Sequence, residues 1–262
     1  MSMEPHGVSD PIFTFAFQPI VDIKAREVYS YEALIRGLDN EPAYSILGQV
    51  AAERLLVFDQ KARVAAIELA EMLEIGCRLN LNLIPQKLQS PAAILTTLEA
   101  ANRNHLPIDR LVVEVTEGAV IDDHAQFAGT INRFRGLGLK VAIDDFGAGY
   151  SGLNMLVDFQ PDQIKLDMKL VRGIERHGPR QAIVRAIDQV CKDLGIDVIA
   201  EGVETEEEYA WLADTGIRLF QGYLFAKPAF ESFPPVHYPG NLQPLTATKP
   251  EPAMHWLSPF KV

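Results

Sequence analysis

Hydrophobic and polar positions follow two different periods along the chain, and the switch between them marks its organisation. FTFAFQPIVDI (residues 13–23) has strand composition, and REVYSYEALIRG (26–37) alternates apolar and polar residues. The short connection predicts an antiparallel pair. Over residues 46–74 the pattern becomes helical, rich in Ala, Leu and Glu, and stops at Gly76. Strand and helix patterns then alternate. CRLNLNLIP reads as a strand, and SPAAILTTLEAAN as a helix with Ser90 as N-cap and Pro91 at its first position. DRLVVEVTE precedes a helix over 123–135, and KVAIDDFG is joined by a short segment, 151–159, to QIKLD. A helix over 179–194 leads to DVIAEGVE, another over 206–214 to a last strand, IRLFQGYLF, and a Pro-rich stretch begins at Lys227.

About eight strands result, six of them in strand–helix alternation, which predicts an α/β closed barrel of parallel strands with one irregular early strand. An open doubly wound sheet is the alternative, but no glycine-rich dinucleotide turn follows the first strand. The expected division is an arm over 1–12, a barrel over 13–233 and a tail over 234–262, where Trp256, Leu257 and Phe260 suggest packing.

Composition narrows the function classes. The 262 residues carry a net charge of −11, which argues against gripping a nucleic-acid polymer or an anionic membrane. No apolar run reaches membrane-spanning length, and MSMEPHGVSDP lacks the basic and apolar parts of a signal peptide. Cys77 and Cys191 have no metal or redox spacing, so a reducing cytoplasm is expected.

In a barrel of this kind the active site lies at the C-terminal ends of the strands. Read in order, those ends offer Glu32, Asn82, Glu114 and Glu117, Asp144 and Asp145, Lys165 and Asp167, Glu201 and Glu204, and Gln221, with Gln18 at the rim of the first strand. Singly, each has a bland reading: a carboxylate at a strand end is most often a helix cap or a solvated loop residue. Lys165 could be an ion-pair partner, and Glu204 could belong to the first turn of the next helix. Jointly, so many acids at one mouth repel one another unless cations bind. Oxygen ligands without paired His or Cys point to Mg2+ or Mn2+ rather than Zn2+. Two such ions bridged by an aspartate are the usual clamp for cleaving a phosphate ester.

Parity separates neighbours. Glu114 and Glu117 face opposite ways, so Glu114 is the better ligand and Glu117 is better placed to hold a nearby loop. Asn80 and Asn82 share a face, with Asn82 nearer the mouth. Asp144 and Asp145 cannot share a face in a regular strand. The strand is therefore expected to end there, with Gly147 and Gly149 turning the backbone so that Asp145 swings toward the mouth.

YEALIRG, NLNLIP, EVTE, DDFGAGYSGL, IKLD, AEGVET and QGYLFAKP, in this order, resemble the EAL-domain cyclic di-GMP phosphodiesterases over residues 13–228. The resemblance implies a modified TIM (β/α)8 barrel with one antiparallel strand, and Mg2+- or Mn2+-dependent hydrolysis of cyclic di-GMP to linear pGpG with two ions per site. By position, Glu32, Asn82, Glu114 and Asp144 would hold the first ion, and Asp144, Asp145 and Glu201 the second. Lys165 would orient or polarise the attacking water, with Glu201 also a candidate base. Gln18, Leu34, Arg36, Asp167, Glu204 and Gln221 would meet or support the substrate. Glu117 would anchor the loop over 146–153, which the family links to metal binding and to a homodimer. The sequence has no recognisable sensor or cyclase motif, so a stand-alone enzyme and a piece of a longer protein, with a regulatory domain or partner outside this chain, are both open. Ile84 and Gly152 stand where the family often has serine, and Gly152 is expected to loosen the loop. The competing classes are a catalytically silent cyclic di-GMP receptor and a protein-interaction scaffold. The full acidic set and the lysine are present, which favours the enzyme.

Overall fold

The computed structural model of the chain describes residues 10–84, 92–118, 124–149 and 152–240. The expected cap at Ser90 and Pro91, the helix start at Asp123, loop residues Tyr150 and Ser151, the arm through residue 9, and Trp256, Leu257 and Phe260 lie outside the described residues.

β1 (Thr14–Asp22) turns directly into β2 (Glu27–Arg36), and the two pair antiparallel with Gln18 opposite Glu32. Helices α1 (Ala43–Leu47) and α2 (Leu55–Met72) lead to β3 (Arg78–Asn82), and α3 (Ala92–Arg103) to β4 (Leu111–Thr116). α4 (His124–Gly136) precedes β5 (Lys140–Phe146), and α5 (Gly152–Phe159) precedes β6 (Gln163–Leu166). α6 (Met168–Val171) and α7 (Gly178–Leu194) precede β7 (Asp197–Ala200), and α8 (Glu206–Thr215) precedes β8 (Leu219–Phe220). β2 through β8 are parallel, and β8 pairs back onto β1 to close the ring, so β1 alone runs against its neighbours. The fold is thus a (β/α)8 barrel of TIM type with one antiparallel strand. A short β9 (Ala229–Phe230) pairs with Ala16 and Phe17, nearer the start of β1 than the Val21–Asp22 segment that β8 occupies.

Three local expectations are corrected. The helix expected over 46–74, with its stop at Gly76, is broken: α1 ends at Leu47 with Gly48 as its cap, a 3-10 turn covers Ala52–Arg54, and α2 ends at Met72, before a left-handed Glu74 (φ +59). Glycine is a poor helix former, and Gly48 sits at the break. The segment over 151–159 contains a helix, α5, whose Met155, Leu156 and Phe159 are buried. The last strand keeps only two residues in the ladder. Gly222 then lies against the next turn so closely that a Cβ would be 2.1 Å from Val203 O.

Two sets of side chains fill the barrel. The outer faces of the strands join the helices in one large apolar core. Inside the ring, Ile20, Tyr29, Ile199 and Leu219 form a separate apolar floor. Above that floor the buried residues include Glu32, Asn80, Glu114 and Lys165. The interior is therefore polar toward the C-terminal ends of the strands. Among the described residues no helix is long and apolar enough to cross a membrane.

A hairpin without a helix leaves the outer face of β1 and β2 to be covered by other means. Phe233 does this, stacked on Tyr31 at 4.2 Å between ring centroids and edge-on to Phe17 at 5.0 Å. Tyr238 is buried, and His237 N–H donates to Phe225 O at 2.8 Å, so packing continues past the barrel boundary expected at 233. Phe233→Ala is expected to cost about 2–3 kcal/mol, somewhat less than a fully buried phenylalanine. Urea unfolding checks this, with a lower midpoint at an unchanged slope.

Candidate active site

Strand register builds the site. Asn82 pairs with Glu114, Thr116 with Asp144 and Lys165 with Ile199, so successive strands present their inward side chains at similar heights. Glu32 is not at a strand end: β2 runs on to Arg36 and carries Leu34 above the acids as part of the wall.

At the centre lies Lys165, 1% exposed. Its Nζ is 2.7 Å from Glu201, 3.0 Å from Glu114, 3.2 Å from Glu32 and 3.3 Å from Asp144. Burial alone would lower its pKa, but these four carboxylates hold it well above the usual lysine range. Burial pushes Glu114 and Glu201 well above the carboxylate range, aided for Glu114 first by repulsion from Glu32. Burial also acts on Glu32, yet Lys165 and hydrogen bonds from Gln221 and Asn82 bring it below the usual value. Asp145 is pushed up to about 6 by burial and by Asp144 and Asp167.

Oxygens of Glu32, Glu114 and Asp144 lie within 4.8 Å of one another, and so do those of Asp144, Asp145 and Glu201. Asp144 belongs to both groups. Its Oδ1 is buried and meets Lys165 Nζ only as an ion pair at 3.3 Å, with no hydrogen bond, which suits a ligand atom. Fully ionised, the five carboxylates around one ammonium leave four negative charges, which two divalent cations would balance. The donor set is carboxylate oxygen together with the amide of Asn82, whose Nδ2 donates to Glu32 at 3.1 Å, leaving its carbonyl oxygen for another partner. These residues fit a pair of hard divalent cations.

The adjacent aspartates reach one mouth by a different route from the one expected. β5 continues to Phe146, and its register with β6 slips between Ile143 and Phe146, the mark of a β-bulge. The left-handed residue is Asp145 itself (φ +56), followed by Gly147 (φ +95). Gly149 serves close approach instead, donating its N–H to Glu117 Oε2 at 3.1 Å. Glu117 also accepts Gly147 N–H at 2.7 Å on Oε2 and Gly152 N–H at 2.7 Å on Oε1. A Cβ on Gly152 would sit 2.8 Å from the Phe146 ring, so the glycine permits tight packing of this loop rather than loosening it.

Other expected residues are more dispersed. Gln221 Nε2 donates to Glu32 Oε2 at 2.7 Å and lies 3.4 Å from Gln18 Oε1, while Gln18 Nε2 donates to Ala226 O. Asp167 caps α6 through Lys169 N–H and adjoins Asp145. Glu204 lines the site, but its carboxylate pairs with Arg172 at 2.6 Å. Arg36 Nη1 is turned to Ile35 O at 2.8 Å. Two cavities, of about 680 and 310 Å3, meet at Glu32 and Asp144. The larger is apolar, with Phe15, Leu34 and Phe58 in its wall, and the smaller adds Met168 and Tyr223. Sequence reasoning missed Asn80, fully buried, whose Nδ2 donates to Glu114 at 2.7 Å. Its shared face with Asn82 was the available signal.

The EAL domain family matches residues 6–228. The chain belongs to that family. The crystal structure of a standalone versatile EAL protein from Vibrio cholerae O395, in its c-di-GMP-bound form, is 45% identical with a TM-score of 0.84, covering 87% of this chain and 97% of that one. The blue light- and temperature-regulated antirepressor BluF of Escherichia coli K12 is 39% identical over 86% of this chain and 56% of its own length. The cyclic di-GMP phosphodiesterase PdeR of the same strain is 44% identical over 52% of this chain and 20% of its own. The chain thus spans about half or less of these two curated relatives.

The shared position of Asp144 predicts a strong metal response. Mn2+ at a hundredfold over its Kd is expected to stabilise the protein by about 2.7 kcal/mol, raising Tm by roughly 5–10 °C. Asp144→Asn should abolish the rise without lowering the metal-free Tm, because it removes a repelling charge. A thermal-shift titration checks both.

Proposed function

We propose that this EAL domain is a cyclic di-GMP phosphodiesterase producing linear pGpG, with two Mg2+ or Mn2+ ions. The observation that carries the reading is the pair of carboxylate clusters sharing Asp144, with Lys165 among them, where two cavities meet. Glu32, Asn82, Glu114 and Asp144 would hold one ion, and Asp144, Asp145 and Glu201 the other. Such ions supply an acidified water and a clamp on phosphoryl oxygens. Lys165 orients the attacking water, and Glu201, 2.7 Å from Lys165, takes its proton. Glu117 fixes the loop that carries Asp145. Leu34 and Gln18 contact the nucleotide, Gln221 orients Glu32, and Asp167 supports Asp145. Arg36 would turn from Ile35 O to a phosphate, and Glu204 borders the substrate at the rim.

α5 supports the further proposal of a homodimer, since Leu153 and Val157 are 65% and 78% exposed on the helix that follows the anchored loop. The free thiols of Cys77 and Cys191 fit a cytoplasmic setting, and the span of the relatives fits a regulatory domain or partner beyond this chain.

A relative named as an antirepressor favours keeping a second reading, a nucleotide receptor or interaction scaffold without turnover. Incubation with cyclic di-GMP and Mn2+ or Mg2+ decides between them. Formation of pGpG, falling by on the order of 10²–10³ in Glu32→Ala, is the expected result. Binding without product would support the receptor, and no binding the scaffold.

A further inference from the structure

Glu208 lies on α8, outside both carboxylate clusters, and is 2% exposed. Its two oxygens serve two different loops. Oε1 accepts the Gly173 N–H at 2.9 Å, at the end of the segment that follows Asp167 and α6. Oε2 accepts the N–H groups of Glu204 and Thr205 at 3.0 and 3.3 Å, in the turn that follows Glu201. The two loops also touch directly, for Gly202 (φ +65) stands where a Cβ would be 2.7 Å from Met168 Cβ. Arg172 spans the same parts from outside, 2.6 Å from Glu204 and 3.9 Å from Glu208.

The ordinary explanation of Glu208 is a capping box with Thr205 at the start of α8. That accounts for Oε2. It does not account for Oε1, which reaches a residue 35 positions away in sequence. The arrangement repeats that of Glu117, where one buried carboxylate gathers N–H groups from the loop after the aspartate pair.

We propose that Glu208 is a positioning residue for the metal site. By tying the turn after Glu201 to the segment after Asp167, it sets the Glu201 carboxylate against Asp144 and Asp145. This rests on the two-cation reading above. Glutamine offers a single accepting oxygen, so Glu208→Gln can hold one loop but not both. Thr205→Ala removes the hydroxyl of the cap and leaves the carboxylate clamp in place.

The test compares these two variants with the wild-type chain by Mn2+ calorimetry, Tm and hydrogen exchange. Thr205→Ala is expected to lose about 3 °C in Tm while keeping Mn2+ affinity within about twofold. Glu208→Gln is expected to lose no more Tm, to bind Mn2+ about tenfold more weakly, and to exchange faster at one of the two released sites, Gly173 or Glu204. Wild-type affinity in Glu208→Gln, or an equal loss in Thr205→Ala, would overturn the role of Glu208 alone. A wild-type chain that bound no Mn2+ would overturn the two-cation reading and this role with it.

Discussion

One ammonium inside a ring of carboxylates is the constraint on which the rest of this barrel depends. Lys165 is buried at 1% exposure and has four acidic partners within 3.3 Å. Taking such groups out of water is costly, and their mutual attraction offsets that cost only with close geometry and satisfied hydrogen bonds. Asn80 on Glu114, and Asn82 and Gln221 on Glu32, supply those bonds. Two of these donors share β3 and the third follows β8, while the acids and Lys165 come from other strands, so the network holds only in one register. A slip of one residue on any strand would turn its polar side chain into the apolar layer outside.

The same chemistry holds the loops above the ring. Carboxylates of Glu117 and Glu208 collect backbone N–H groups that have no partner in a helix or ladder. An ionised acceptor makes a stronger bond than a neutral one, and two oxygens let one side chain fix two stretches of backbone. Glu117 faces away from the strand parity of Glu114, which frees it for this work. The site thus has acids of two kinds, separated by direction rather than by residue type: those aimed into the ring and those aimed at backbone.

Much of this was legible in the chain because period and parity are local properties. The alternation of strand and helix patterns led to the barrel, and the spacing of Glu114 and Glu117 separated their directions. What was not legible depends on long-range geometry. The bulge that brings Asp145 beside Asp144 is a slip between β5 and β6, invisible in DDFG itself, where the glycines drew attention instead. The hydrogen bond that Glu208 accepts from Gly173 N–H spans 35 positions and likewise has no local signature. The helix break at Gly48 is not legible because a helical composition continues through it.

The charge of the molecule bears on how such a site could take an anion. At −11 overall, with acids gathered at the barrel mouth, the charge of the metal-free protein works against an anionic ligand. Lys165 offsets one of those charges from within the cluster, and the guanidinium of Arg36, further along β2, is turned to the backbone of its own strand. Under the phosphodiesterase reading, two divalent cations held by these carboxylates would neutralise the cluster and offset its charge toward a phosphodiester. On that reading, the acids that work against an anion in the bare protein are the ones that would hold the cations it meets.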